Sequence, residues 1–380
     1  MGKSLLGLGR DNLLILVSML LWGSGEGLWY YVQPLYIKSL GADSLEIGLV
    51  MSLGPVLMVL GFVPVGIVAD RYGRKRVMLG GSLMGVLSVV LLALAQDWRQ
   101  SIPGFLLYFG SGCCLPAIQS YIAHASEGRN LNRTFSLVYA AFALGLIVFP
   151  TVGGWLAEAG GFALPLILAA VFYVASTVMI VFVDEQPITR SARGTGFEDV
   201  LSNKRLVSIS ALSVVVFLAL YLGQPFAPNY LQEVVGIDLS WIGFMGSAHA
   251  LGATVLGVAL GRLSEGIAGF ILGQALVGVS LILMLNTRAM PLLFVAFFLR
   301  GAYNACRALA LGLAGKVVGE TNAGLAYGML NSAIGTSMVL APYVAARLYT
   351  ARNDLPFLVA AGLIVVAMAV STAVLRAERV

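Results

Sequence analysis

Charge is what this sequence has least of. Only 11% of its 380 residues are Asp, Glu, Lys or Arg, and 59% are hydrophobic. A soluble globular chain carries roughly 25% charged residues. The shortfall excludes a soluble enzyme and a disordered chain, and mean hydropathy is correspondingly high at +0.91. Cysteine is scarce too. Cys113, Cys114 and Cys306 all lie in apolar runs, which excludes a disulfide scaffold and a cysteine metal site. There are two histidines, and no Walker-type phosphate loop, no His-Glu-x-x-His and no nucleophile elbow. The chain therefore reads as neither an ATPase nor an enzyme of any kind, and no cofactor is expected.

What is present is long apolar runs. A membrane-crossing helix needs about 20 mostly apolar residues. Twelve such runs occur, at 12–38, 46–69, 77–96, 102–124, 134–157, 162–183, 206–229, 240–261, 267–286, 291–315, 323–346 and 355–376. Lys3 and Arg10 precede the first run, and no small-residue cleavage site closes it early, so it reads as span 1. The net charge of +5 does not point to nucleic acid. Placing both termini in the cytoplasm puts sixteen of the 23 Lys and Arg residues on the inner side and five (Lys38, Arg99, Arg288, Arg347, Arg352) outside. The expected location is the cell (inner) membrane, with the bilayer as partner.

Residues 1–184 and 206–380 form two groups of six spans, joined by a polar linker at 185–205 with helix-breaking Pro187, Gly194 and Gly196. Within it, 197–206 mixes apolar and charged residues and reads as a short amphipathic helix on the inner face. The groups repeat one another. Pro34-Leu-Tyr36, Gly41, Asp43 and Ile47-Gly48 recur as Pro228-Asn-Tyr230, Gly236, Asp238 and Ile242-Gly243, at an offset of 194 before a one-residue insertion and 195 after it, and the offset of 195 also relates Gly66 to Gly261 and Asp70 to Glu265. Parallel six-span repeats are a transporter architecture, with the substrate site near the midplane.

Ionisable residues at bilayer depth are costly, by about 2.5–3.5 kcal/mol or more, and are functional candidates. Glu26 stands in Gly23-Ser-Gly25-Glu26-Gly27, past the middle of span 1. It suits proton loading and release, or attraction of a cationic substrate; the alternative is a carboxylate permanently paired with arginine. Tyr30 and Gln33 follow at i+4 and i+7 on the same helical face, which makes a polar stripe of Glu26, Tyr30 and Gln33 toward the cavity, with Trp29 flanking it. Arg300 and Arg307 lie seven residues apart on span 10, with Asn304 between them. Arg300 could hold an anionic substrate group or partner Glu26; Arg307 could do the same or reach to the interface. His249 in span 8 is a candidate proton shuttle or a packing residue. Gln119, Tyr221, Gln224 and Asn331 are lesser cavity candidates, and His124 reads as interfacial.

Between spans 2 and 3 stands Gly66-Ile-Val-Ala69-Asp70-Arg71-Tyr-Gly73-Arg74-Lys75-Arg76. This closely resembles the loop motif of the major facilitator superfamily, Gly-x-x-x-Asp-Arg-x-Gly-Arg-Lys. The resemblance implies an all-α membrane fold of two pseudo-symmetric six-helix bundles, working as a monomer. It also implies a conformational gate at Gly66, Asp70, Arg71, Gly73, Arg74 and Lys75, with the aspartate docking at the start of span 11. Span 5 carries Gly145, Pro150, Gly153 and Gly154, similar to the pattern of proton-driven antiporters, with Phe149 replacing one glycine. Span 4 departs from the family: Tyr108 stands where an arginine usually precedes Gly112 by four residues, which puts in doubt a span 4 arginine in a proton relay. The resemblance implies alternating-access transport, with proton-coupled efflux of small amphipathic compounds as the main expectation. Transport of organic anions held by Arg300 and Arg307 is the alternative, and a non-transporting membrane sensor a remote one.

Overall fold

The computed structural model describes residues 8–126, 130–186, 203–263, 267–317 and 323–377. Side chains at 62–63, 66–67, 70, 314–317, 323–326 and 375–377 are outside that description. Among the described residues the chain is helical, without strands. Twelve helices are long and apolar enough to cross a membrane. We number them α1 (Arg10–Ser39), α2 (Ser44–Tyr72), α3 (Arg74–Leu94), α4 (Trp98–Ala125), α5 (Leu131–Gly160) and α6 (Ala163–Val181), then α7 (Lys204–Val235), α8 (Leu239–Gly261), α9 (Ile267–Asn286), α10 (Met290–Leu313), α11 (Ala323–Ala351) and α12 (Leu355–Ala377). All twelve expected runs are thus helices. The amphipathic helix expected at 197–206 falls mostly outside the described residues.

Four of the twelve are interrupted. The first helix of α1 ends at Gly27; a 3-10 turn over Tyr30–Val32 follows, and a second helix starts at Gln33 with Pro34 in its first turn. Glycine weakens a helix interior, and proline suits the first turn of a new one. In α4 the break is a 3-10 turn at Gly112–Cys114, again with a proline (Pro116) restarting the helix. In α7 the helix stops at Leu222, resumes at Ala227–Tyr230 and ends in a π-turn, Leu231–Val235. In α10 it breaks at Gly301. The other eight run without interruption where described.

The sequence repeat has a structural counterpart. Gly41 and Gly236 close α1 and α7 with φ of 89° and 79°, a conformation that a side chain disfavours. Asp43 then forms a reciprocal cap with Glu46: each side chain accepts the other's backbone N–H, at 2.8 and 2.9 Å.

The chain forms two compact units. One contains α1, α3–α6, the part of α2 from Leu60 onward, and the first turns of α8 up to Ser247. The other holds the start of α2 up to Val59, α7, the remainder of α8 and α9–α12.

Lipid offers helices no hydrophobic reason to associate, so close backbone approach through small residues holds such units together. In the first unit α1 lies against α5. A Cβ at Gly153 would fall 1.9 Å from the Leu28 carbonyl oxygen, and one at Gly145 would fall 2.4 Å from the Ser24 nitrogen. The start of α8 meets α5 at Gly243 and Gly154, and Thr151 and Ser247 share a hydroxyl hydrogen bond of 2.8 Å. In the second unit Gly301 packs on the His249 carbonyl and the Ala253 nitrogen of α8, and Gly48 packs on Pro342 and Ala346 of α11. Buried polar pairs add direction: Ser18 with Ser176 at 2.8 Å in one unit, Gln274 with Ser371 at 3.1 Å in the other. Large apolar side chains such as Leu60, Leu94, Trp155 and Val365 point outward, as lipid-facing surfaces require.

Candidate functional site

In the first unit, chemistry gathers where α1 breaks. Glu26 is half-buried at the end of the first α1 helix. The Tyr108 hydroxyl from α4 and the Trp22 indole face its carboxylate as hydrogen-bonding neighbours. Trp22 stacks on Tyr173 of α6 at 4.2 Å. Tyr108 in turn meets Trp29 edge-on at 4.8 Å and Tyr30 at 5.7 Å. Glu26 therefore sits in an aromatic setting whose donors are neutral. Tyr108, at the position where the family pattern has arginine, supplies one of those donors in place of a cation.

The polar stripe Glu26–Tyr30–Gln33 does not form as a helical face, and the helix break is the reason. Tyr30 lies in the 3-10 turn, and Gln33 opens the next helix with its side chain buried. Tyr30 still reaches the site through Tyr108. Trp22 was missed by the sequence reading, although it lies four residues before Glu26 and so on its face of the first helix. Tyr173 carries no signal that sequence alone could reveal.

The remaining first-unit candidates are structural neighbours of other elements. Gln119 is exposed and donates to the Tyr139 hydroxyl of α5 at 2.8 Å. His124 ends α4 and is half-buried. The glycines of the antiporter-like pattern are contact points: Gly145 and Gly153 on α1, Gly154 on α8, with Pro150 against Gly27 and Gly246. In the loop motif, Gly73 has φ 96° and starts α3. Arg71 lies over the Tyr72 ring at 5.6 Å, Arg74 donates to the Gln186 side chain at 2.9 Å, and Lys75 is half-buried. The side chain of Asp70, any group at Gly66, and Glu265 of the second copy are outside the described residues.

In the second unit the α10 break separates residues expected to share a face. Arg300, the last residue before it, is 2% exposed. Its guanidinium lies 4.4 Å from the Phe297 ring centre and donates toward Met284 Sδ of α9 at 3.3 Å. It is packed inside the helix cluster. His249, half-buried, belongs to the α8 segment on which Gly301 rests. Asn304 is exposed. Arg307 is half-buried and donates to Asn331 Oδ1 of α11 at 3.1 Å. Thus Arg300, Asn304 and Arg307 occupy three surroundings; a tight turn at Gly301, with Asn304 N–H bonded to the Gly301 carbonyl, redirects them. Tyr303 was not anticipated: it is 6% exposed and packs with Tyr221 and Phe217 at 5.7 Å each. Gln224 folds back onto the Leu220 carbonyl at the α7 break. A separate cavity of about 300 Å³ opens among Tyr230, Val234, Leu285, Asn286, Thr287 and Arg288, and none of the expected site residues lines it.

Comparison with known proteins agrees with this architecture. The description of the Major Facilitator Superfamily matches residues 13–269 and 209–380. An uncharacterised MFS-type transporter of Methanocaldococcus jannaschii is 27% identical over 240 residues, which is 58% of this chain and 60% of that protein. The class C tetracycline resistance protein of Escherichia coli is 24% identical across 94% of this chain and 95% of its own length. The multi-drug resistance efflux pump PmrA of Streptococcus pneumoniae is 27% identical over 64% of this chain and 66% of that pump. Among solved structures, a variant of the nucleoside transporter NupG superposes with a TM-score of 0.83 over 96% of this chain and 99% of that chain, at 16% identity. A peptide transporter variant in complex with sulfate gives 0.80 over 97% and 94%, also at 16% identity. At such identities the structural likeness speaks to the fold alone. With twelve membrane-length helices, the loop motif and a family match running nearly end to end, the chain belongs to the Major Facilitator Superfamily and is a multi-pass membrane protein.

Proposed function

We propose that this transporter exports small amphipathic compounds in exchange for protons by alternating access, with Glu26 as the residue that couples the two. The observation that carries this reading is a carboxylate at membrane depth, half-buried beside the neutral donors of Tyr108 and Trp22. Beside neutral donors, such a carboxylate gains by taking up a proton or by meeting a cationic ligand. Aromatic rings around it add a surface suited to apolar and cationic groups. Relatives named for tetracycline and multi-drug resistance support the efflux direction. Both termini are assigned to the cytoplasm of the inner membrane, from the loop charge bias, and the working unit to a monomer. Arg71 and Arg74 are assigned to the gate.

The test is proton flux in proteoliposomes under a substrate gradient. Glu26→Gln keeps the size and a hydrogen-bonding amide but cannot ionise. It should abolish substrate-driven proton movement while the protein still elutes as a folded monomer. Proton flux equal to that of the unaltered chain would sink the assignment.

A further inference from the structure

We propose that Arg307, Tyr303 and Asn331 form a binding subsite in the second unit for the anionic group of a small amphipathic organic compound. It deepens the transport reading by naming a chemical class for the compound bound.

Arg307 and Tyr303 are four residues apart in the second helix of α10, so they share a face. Helical side chains lean toward the N-terminus, so Arg307 reaches back over the turn that carries Tyr303. The guanidinium has five donors. One of them is directed to Asn331 Oδ1 at 3.1 Å, and among the described residues it has no carboxylate partner. Asn331 is itself anchored, since its amide nitrogen donates to the Tyr327 carbonyl at 2.9 Å. It thereby orients the guanidinium through a neutral acceptor.

The second observation is Tyr303. The residue is 94% buried, and its hydroxyl is enclosed and has no hydrogen-bond partner among the described residues. A buried hydroxyl is costly unless paired, and an arginine at membrane depth is costly unless neutralised. A carboxylate or phosphate bound on this face relieves both at once: it accepts from Arg307, in the two-pronged geometry that guanidinium favours, and from Tyr303. The rings of Tyr221 and Phe217, packed on Tyr303, provide an apolar wall for the rest of the ligand.

The test is thermal unfolding of the full chain, purified in a neutral detergent and titrated with benzoate, phenyl phosphate, the neutral isostere benzamide, or phosphatidylglycerol. A ligand of the folded state raises the melting temperature. Benzoate or phenyl phosphate should stabilise the protein, and benzamide should not. Arg307→Gln should weaken the apparent affinity for the anion about tenfold or more, and Tyr303→Phe, which removes a single oxygen, should weaken it severalfold. Arg307→Lys keeps the charge and should retain part of the effect. Arg347→Gln, at an exposed arginine of α11 that donates to the Tyr343 hydroxyl, should leave anion binding unchanged, and failure of the coupling assignment is read separately, in the proton flux of Glu26→Gln. The proposal is overturned if neither anion outperforms benzamide, if Tyr303→Phe and Arg307→Gln bind as the unaltered chain does, or if only phosphatidylglycerol stabilises.

Discussion

At the scale of single residues, the site in the first unit rests on neutral donors. Tyr108 faces Glu26, so Tyr108→Phe removes a donor without altering the packing of its ring on Trp29. We expect the melting temperature of that variant to stay close to the parent's and coupled transport to fall about tenfold, the effect of losing one hydrogen bond to a charged group. Transport at the parental rate would show that Glu26 works without Tyr108. A second residue-scale expectation concerns stability alone. Gln274 is buried and bonded to Ser371 between α9 and α12. Gln274→Ala should cost about 0.6–1.7 kcal/mol, the range for interhelical hydrogen bonds in membranes, measured by reversible unfolding in mixed micelles. Glu26, Arg300 and Arg307 were legible in the sequence because charge inside an apolar run is conspicuous. Their partners were not. Tyr173 lies on α6, far along the chain from Glu26, and Met284 lies on α9, one helix before Arg300, so only the fold brings them together.

At the scale of elements, twelve spans could be read because each is a long apolar run, and the glycines of α1 pointed to a weak helix. The break itself was not followed through. Treating α1 as one rod put Glu26, Tyr30 and Gln33 on one face, and treating α10 likewise grouped Arg300 with Asn304 and Arg307. Glycine-mediated contact between elements gives a sharp test. At Gly153 a Cβ would meet the Leu28 carbonyl at 1.9 Å, whereas at Gly80 it would meet nothing within 4 Å. Gly153→Ala forces α1 and α5 apart and should destabilise by about 1–3 kcal/mol. Gly80→Ala should be neutral or stabilise by up to about 1 kcal/mol through helix propensity. Equal melting temperatures for the two variants would contradict the α1–α5 contact described above.

At the scale of the whole molecule, the sequence divides the spans six and six at the linker, while the compact units take the beginnings of α2 and α8 across that division. Such an exchange depends on contacts between residues far apart in the chain, so no local pattern announces it. It offers a test of alternating access. Thr151 and Ser247 touch through their hydroxyls at 2.8 Å, a spacing from which paired cysteines can form a disulfide. If α5 and the start of α8 part during the cycle, Thr151→Cys with Ser247→Cys should lose transport on oxidation and regain it with reductant. Undiminished transport by the oxidised double variant would exclude movement at that contact. The four helix breaks carry a further consequence. They fall in α1, α4, α7 and α10, every third span, so the chain counts as four quarters, each opening with a jointed helix followed by two uninterrupted struts. Changes in the struts trouble packing and lipid contact; changes near the joints trouble chemistry. Tolerance to mutation, scored for transport per folded molecule, should therefore rise and fall along the chain with a beat of three helices, finer than the 195-residue echo visible in the sequence.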